Sequence, residues 1–131
     1  MIIAVDFDGI LCENKFPEIG PPNYEIISAV RQLIDCGQEV VLWTSRVDAE
    51  LEAAVKWCED YGLRFCAVNE NAPSNIQKYI TKYPHGTRKV YADIYIDDHN
   101  IGFAGLGHST LKEALLMNIQ SLLRRVKNEQ R

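Results

Sequence analysis

The sequence predicts an α/β fold, a three-layer sandwich built on a central parallel sheet. Three observations carry that prediction. Strand-like apolar runs alternate with helix-like amphipathic blocks along the chain. The opening run, Met1 to Val5, is apolar throughout, as expected of a strand covered on both faces. That run leads into Asp6 and Asp8, and a later one ends in Asp97-Asp98, which puts polar groups at the carboxyl ends of strands, where open α/β sheets bind ligands. With 131 residues, 47% of them hydrophobic, the chain fits one domain (1–131) around one core.

Taken in order, the first strand gives way to an irregular stretch, Ile10 to Pro22, broken by Pro17, Gly20, Pro21 and Pro22. A helix follows, capped by Asn23, with Ile26, Val30, Leu33 and Ile34 as its buried stripe and Gly37 as its end. Glu39 to Thr44 reads as the second strand. Asp48 caps the next helix, with Leu51, Val55 and Cys58 on one face and Gly62 as its stop. Arg64 to Val68 reads as a third strand. Ser74 caps a short helix through Ile76, Tyr79 and Ile80 that Pro84-His85-Gly86 ends. Asp93 to Asp97 is the fourth strand. After a glycine-rich loop, Thr110 and Glu113 form a capping-box pattern for a last helix striped by Leu111, Leu115, Ile119, Leu122 and Val126. Strands and helices in this alternation imply right-handed crossovers and a Rossmann-like parallel sheet.

Composition narrows the function. The net charge is −4 and the cations are scattered until Arg124-Arg125-Val126-Lys127, so nucleic acid is disfavoured as a partner. The four cysteines, Cys12, Cys36, Cys58 and Cys66, form no Cys-x-x-Cys pair, and the last three sit in apolar or amphipathic contexts typical of buried thiols. No secretory leader and no membrane-spanning run is evident, so a reducing, cytoplasmic setting is expected.

Asp6 and Asp8 flank one residue just where strand alternation relaxes, so both carboxylates can turn toward one point. Carboxylates held together repel unless a cation or a shared proton lies between them. Hard oxygen donors suit Mg²⁺, which takes one or two carboxylates and fills the rest with water and phosphate oxygens. An ordinary Asp-Gly turn is the bland alternative, and the second acidic strand end argues against it.

In chain order the polar strand ends read Asp-x-Asp (Asp6, Asp8), Thr44-Ser45 after an apolar strand, Lys89, and the acidic pair Asp97-Asp98. This order resembles the haloacid dehalogenase (HAD) superfamily of phosphohydrolases over residues 2 to 98. The resemblance implies Asp6 as nucleophile and Asp8 as general acid and base. It implies a Mg²⁺ site formed by Asp6, Asp8 through its backbone carbonyl, and Asp97 or Asp98. Thr44, Ser45 and the amides opening the next helix would bind phosphoryl oxygens, and Lys89 would neutralise their charge. Lys78, Lys82 or Arg46 could serve as that cation instead. His99 reads as a surface or supporting residue and Cys12 as packing. Gly102-x-x-Gly105-x-Gly107 lacks the spacing of a dinucleotide loop. Many relatives carry Thr where this chain has Ile10, a position that also accepts aliphatic residues.

Members of that superfamily usually carry a cap domain, after the first motif or before the lysine. Neither Ile10–Pro22 nor Asn69–Arg88 is long enough for one. A capless, open site suits a large phosphorylated substrate or a neighbouring subunit acting as lid in a homo-oligomer, with Phe16–Pro22 and Tyr79–His85 as its rim. Three other functions compete. A metal-dependent nuclease leaves Thr44 and Lys89 without a role. A receiver-like phosphoacceptor needs its aspartate after a later strand. A non-catalytic metal or phosphate-binding module would not need Asp6 and Asp8 intact.

Overall fold

Ile3 and Val5 have no solvent exposure, and the strand that carries them, β1 (Ile2–Val5), lies inside the sheet. In the computed structural model, which describes residues 1–130, β1 is flanked by β4 (Glu39–Leu42) and β6 (Ile94–Ile96), with β5 (Ala67–Val68) outside β4. All pairings are parallel, and Val5 faces Leu42 on one side and Ile96 on the other. The α/β class and the parallel sheet agree with the sequence prediction.

The two faces are covered unequally. Ile3, Val5, Val40, Leu42 and Ile96 pack with the buried sides of α1 (Tyr24–Asp35), α2 (Asp48–Asp60) and α4 (His108–Glu129). Ile2, Ala4 and Val41 on the opposite face meet Ala67, Ala72, Val90 and Ala92, with Trp43 at the margin. The helix on this side, α3 (Pro73–Tyr79), buries no residue. Small side chains there let an extended stretch, rather than a helix layer, lie close over the sheet.

Between β1 and α1 the chain is not irregular. It forms an antiparallel hairpin, β2 (Cys12–Lys15) and β3 (Glu18–Pro22), with Cys12 opposite Pro22. A two-stranded ribbon has free edges on both sides, so prolines that would break a central strand are tolerated. The other strands are shorter than expected: 39–44 stops at Leu42, 64–68 shrinks to Ala67–Val68 and 93–97 to Ile94–Ile96. Of the three thiols expected to be buried, Cys58 is, Cys36 is half-buried and Cys66 is exposed.

Gly37 and Gly62, at φ +86° and +76°, end α1 and α2 as expected, but none of the expected N-terminal side-chain caps forms. Val47 and Gly107 occupy the capping positions, so Asp48 lies inside the first turn of α2, and α4 starts ahead of Thr110. Asn23 does precede α1, but its buried amide donates to the Ile10 carbonyl at 2.7 Å, and its backbone N–H donates to Leu11 at 2.9 Å. The residue anchors the loop after β1 instead of the helix. No helix of the described residues is long and apolar enough to cross a membrane.

Asn23→Ala leaves the Ile10 carbonyl unsatisfied and should lower unfolding free energy by about 1–3 kcal/mol, read from urea denaturation. A loss typical of an exposed cap, a few tenths of a kcal/mol, would assign Asn23 no anchoring role.

Candidate functional site

Backbone pairing brings the strand ends together. The Asp6 N–H donates to the Ile96 carbonyl at 3.0 Å, and the Trp43 N–H donates to Val5 at 2.9 Å. Residues following β1, β4 and β6 therefore share one edge, where a cavity of about 910 Å³ is lined by Asp6, Asp8, Thr44, Ser45, Asp97 and Asp98. Six of the seven sequence-predicted site residues meet there. Arg46, Phe16 and His99 also line it.

Burial pushes the Asp6 carboxyl up to about 7, and the negative charges of Asp97, Asp98 and Asp8 push the same way. The Phe7 N–H, donating at 2.8 Å, opposes them. Burial also raises Asp98. Among the described residues, Asp98 Oδ1 is a buried oxygen with no hydrogen-bond partner. Gly9, at φ +86°, lies directly against the Asp98 carboxylate, where any Cβ would collide. Asp97, Asp98 and His99 can present ligand atoms within 4.8 Å of one another, with His99 exposed and its Nε2 3.7 Å from Asp98 Oδ2. Carboxylate oxygens, one of them orphaned, form a donor set that fits a divalent cation.

The folded state holds Asp6 near 7 against an ordinary value of 3.8, so its charge costs stability as pH rises from about 4 to about 7, and the full cost persists above 7. A divalent metal chloride should therefore raise Tm by roughly 5 °C or more at pH 8 and far less at pH 5. Equal shifts at both pH values in a thermal-melt titration would show that the cation does not relieve the charge on Asp6.

Arg46 organises the opposite wall. Its side chain is 1% exposed, and Nε and Nη2 each donate to one Asp8 oxygen at 2.8 Å. Nη1 donates to the Pro17 carbonyl at 3.1 Å and Nη2 to Glu18 at 2.9 Å, while the guanidinium lies 5.1 Å from the ring centres of both Phe7 and Phe16. One cation thus joins Asp8 to the hairpin. Both Asp8 carboxylate oxygens are engaged by Arg46, an arrangement compatible with the expectation that Asp8 serves a metal through its backbone carbonyl rather than its side chain.

Lys89 is corrected. It lies away from the acidic residues, lining a second cleft with its ammonium 5.5 Å from the Tyr95 ring centre. Val90 and Ala92 are buried against the sheet, so in this extended stretch Lys89 and Tyr91 face outward. Lys78 and Lys82 are exposed on the same segment, leaving Arg46, one of the alternatives, as the cation of the site.

Thr44 is fixed by Asn69, whose Oδ1 accepts the Thr44 N–H at 2.8 Å; Thr44 Oγ1 accepts the Arg46 N–H at 3.2 Å. Among the described residues the Thr44 hydroxyl donates to none, which leaves its proton for a ligand. Asn69, at φ +54°, has no role in the sequence reading, although it directly follows β5 at the same sheet edge.

Arg46→Ala strands a carboxylate and two hairpin carbonyls and should cost about 3–5 kcal/mol in denaturant unfolding. Arg46→Lys should recover only part of that loss, because an ammonium cannot make the forked pair. Full recovery by lysine would mean that charge alone matters here.

No protein-family model matches the chain, and no curated protein matches it. Among solved structures it is similar to a conserved protein coded by a locus from Bacteroides thetaiotaomicron, with 31% sequence identity and a TM-score of 0.68. The match covers 90% of this chain and 91% of the other. By that identity over nearly the full length of both, the chain belongs to the same family as the conserved Bacteroides thetaiotaomicron protein.

Proposed function

We propose that this protein is a Mg²⁺-dependent phosphomonoesterase that works through an aspartyl-phosphate on Asp6. The observation that carries the reading is the convergence of Asp6, Asp97 and Asp98 at one sheet edge, in a cavity that Thr44 also lines, with a buried Asp98 oxygen that has no hydrogen-bond partner among the described residues. Asp6, Asp97 and Asp98, with the Asp8 backbone carbonyl, would hold Mg²⁺, whose charge lets an anionic phosphoryl group approach a carboxylate.

An Asp6 carboxylate oxygen forms the new bond to phosphorus as the ester P–O bond breaks. The Asp8 carboxyl gives its proton to the leaving oxygen. Water then attacks phosphorus and returns a proton to Asp8, and the bond to Asp6 breaks with release of inorganic phosphate. Thr44 and Ser45 donate to the phosphoryl oxygens. Arg46 donates to both Asp8 oxygens and so fixes the orientation of the Asp8 carboxyl. Since Arg46 also holds Pro17 and Glu18, proton transfer is tied to the position of the hairpin.

Hydrolysis of p-nitrophenyl phosphate tests this reading. The unsubstituted protein should turn it over with Mg²⁺ and stop in chelator. Asp6→Asn should fall to background, and Asp8→Asn should lose about 10²–10⁴-fold in kcat. Undiminished turnover by Asp6→Asn would remove the proposed nucleophile.

A further inference from the structure

Beside the acidic site lies a cleft of about 900 Å³ that the proposed chemistry does not use. It runs between α3, the stretch after it and the sheet face. Its walls expose aromatic rings to an unusual degree: Tyr79 is 43% exposed, Tyr83 54%, Tyr91 48% and Tyr95 37%, with Ile76 and Ile80 between them. Apolar surface gathered in a concave site of this size is typical of small-ligand pockets rather than of ordinary surface.

Its charge is equally distinctive. The chain carries net −4, yet from Asn71 to Ala92 it has four cations, Lys78, Lys82, Arg88 and Lys89, and no carboxylate, so that Glu70 is the acidic residue set against Arg88 and Lys89 in the cleft lining. All four are exposed; Arg88 and Lys89 line the cleft, and Lys78, Lys82 and Lys89 each lie 5.4 to 5.5 Å from a tyrosine ring centre. Rings that stack on a planar group, beside cations that meet an anion, form the pairing by which proteins hold nucleotides.

The cleft and the acidic site are joined. Asn69 lines the cleft while its Oδ1 holds the Thr44 N–H. Tyr95, which lines the cleft, stands in β6 two residues before Asp97 of the acidic site.

We propose that this cleft binds a nucleotide bearing two separate phosphates, with the base against the tyrosines and one phosphate at Arg88 and Lys89. That the second phosphate is the one presented to Asp6, making the nucleotide the leaving group, rests on the phosphomonoesterase reading.

The test is calorimetric titration of the Asp6→Asn protein, which cannot turn substrate over, with adenosine 3′,5′-bisphosphate, adenosine 5′-monophosphate and glycerol 3-phosphate. Affinity should fall about tenfold at each step in that order. Tyr79→Ala in the same background should erase the preference for nucleotides over glycerol 3-phosphate. Lys89→Ala should erase the preference for the bisphosphate over the monophosphate, and circular dichroism should show both variants folded. Equal affinity for all three ligands, or affinities untouched by both substitutions, would overturn the proposal. So would binding confined to single-stranded oligonucleotides. Hydrolysis of p-nitrophenyl phosphate separates the two readings. Turnover without nucleotide preference removes the cleft proposal alone, and nucleotide binding by a protein that hydrolyses no ester keeps the cleft and removes the phosphatase.

Discussion

The parallel pairing of β1 with β6 is the constraint on which the rest of the structure depends. Its register, with Val5 opposite Ile96 and the Asp6 N–H on the Ile96 carbonyl, forces Asp6 beside Asp97 and Asp98. Left to themselves these carboxylates would separate. Holding Asp6 charged where its carboxyl titrates near 7 costs on the order of a few kcal/mol. Burial of each large aliphatic side chain in the same strands returns roughly 1.5–3 kcal/mol, and Ile3, Val5, Val40, Leu42 and Ile96 are all in that core. The apolar sheet therefore outweighs the repulsion at its edge, and the acidic cluster exists because the core imposes it.

Arg46 then divides the carboxylates into two kinds. Its charge is matched to Asp8 in a buried forked pair, so Asp8 is neutralised within the protein. Among the described residues, Asp6, Asp97 and Asp98 have no such forked partner; the exposed His99 imidazole lies 3.7 Å from Asp98. Asp8 is thus held in place from inside the protein, while Asp6, Asp97 and Asp98 have no arginine or lysine paired to them among the described residues.

Much of this was legible in the sequence, for a physical reason. Burial on both faces makes a central parallel strand apolar throughout, and the abrupt change to Asp6 and Asp97 marks where the strand meets solvent. Parallel topology then carries those ends to one edge without knowledge of any side-chain contact. What was not legible depends on contacts between distant segments. Nothing local tells Asn23 to bond Ile10 rather than cap α1, or Arg46 to choose Asp8 over solvent, since each partner is supplied by tertiary folding. Lys89 was misplaced because its position relative to the sheet is set by the burial of Val90 and Ala92, two modest apolar residues in an otherwise polar segment. The hairpin was missed because its prolines speak against strands in general, though not against a free-edged ribbon.

The unequal cover of the two sheet faces has a consequence for how such a protein can change over generations. The helical face carries the interlocked core, and substitutions there reach the strands directly. On the opposite face α3 buries nothing, and its stretch of chain is held to the sheet by Ala72, Val90 and Ala92 and by the Ser74 hydroxyl donating to the Glu39 carboxylate. Residues 73–89 can be lengthened, shortened or rewritten without disturbing the register that gathers the carboxylates. The acidic edge and the aromatic cleft are thereby inherited on separate pieces of the fold, so a lineage can rewrite the cleft while keeping the same carboxylates together.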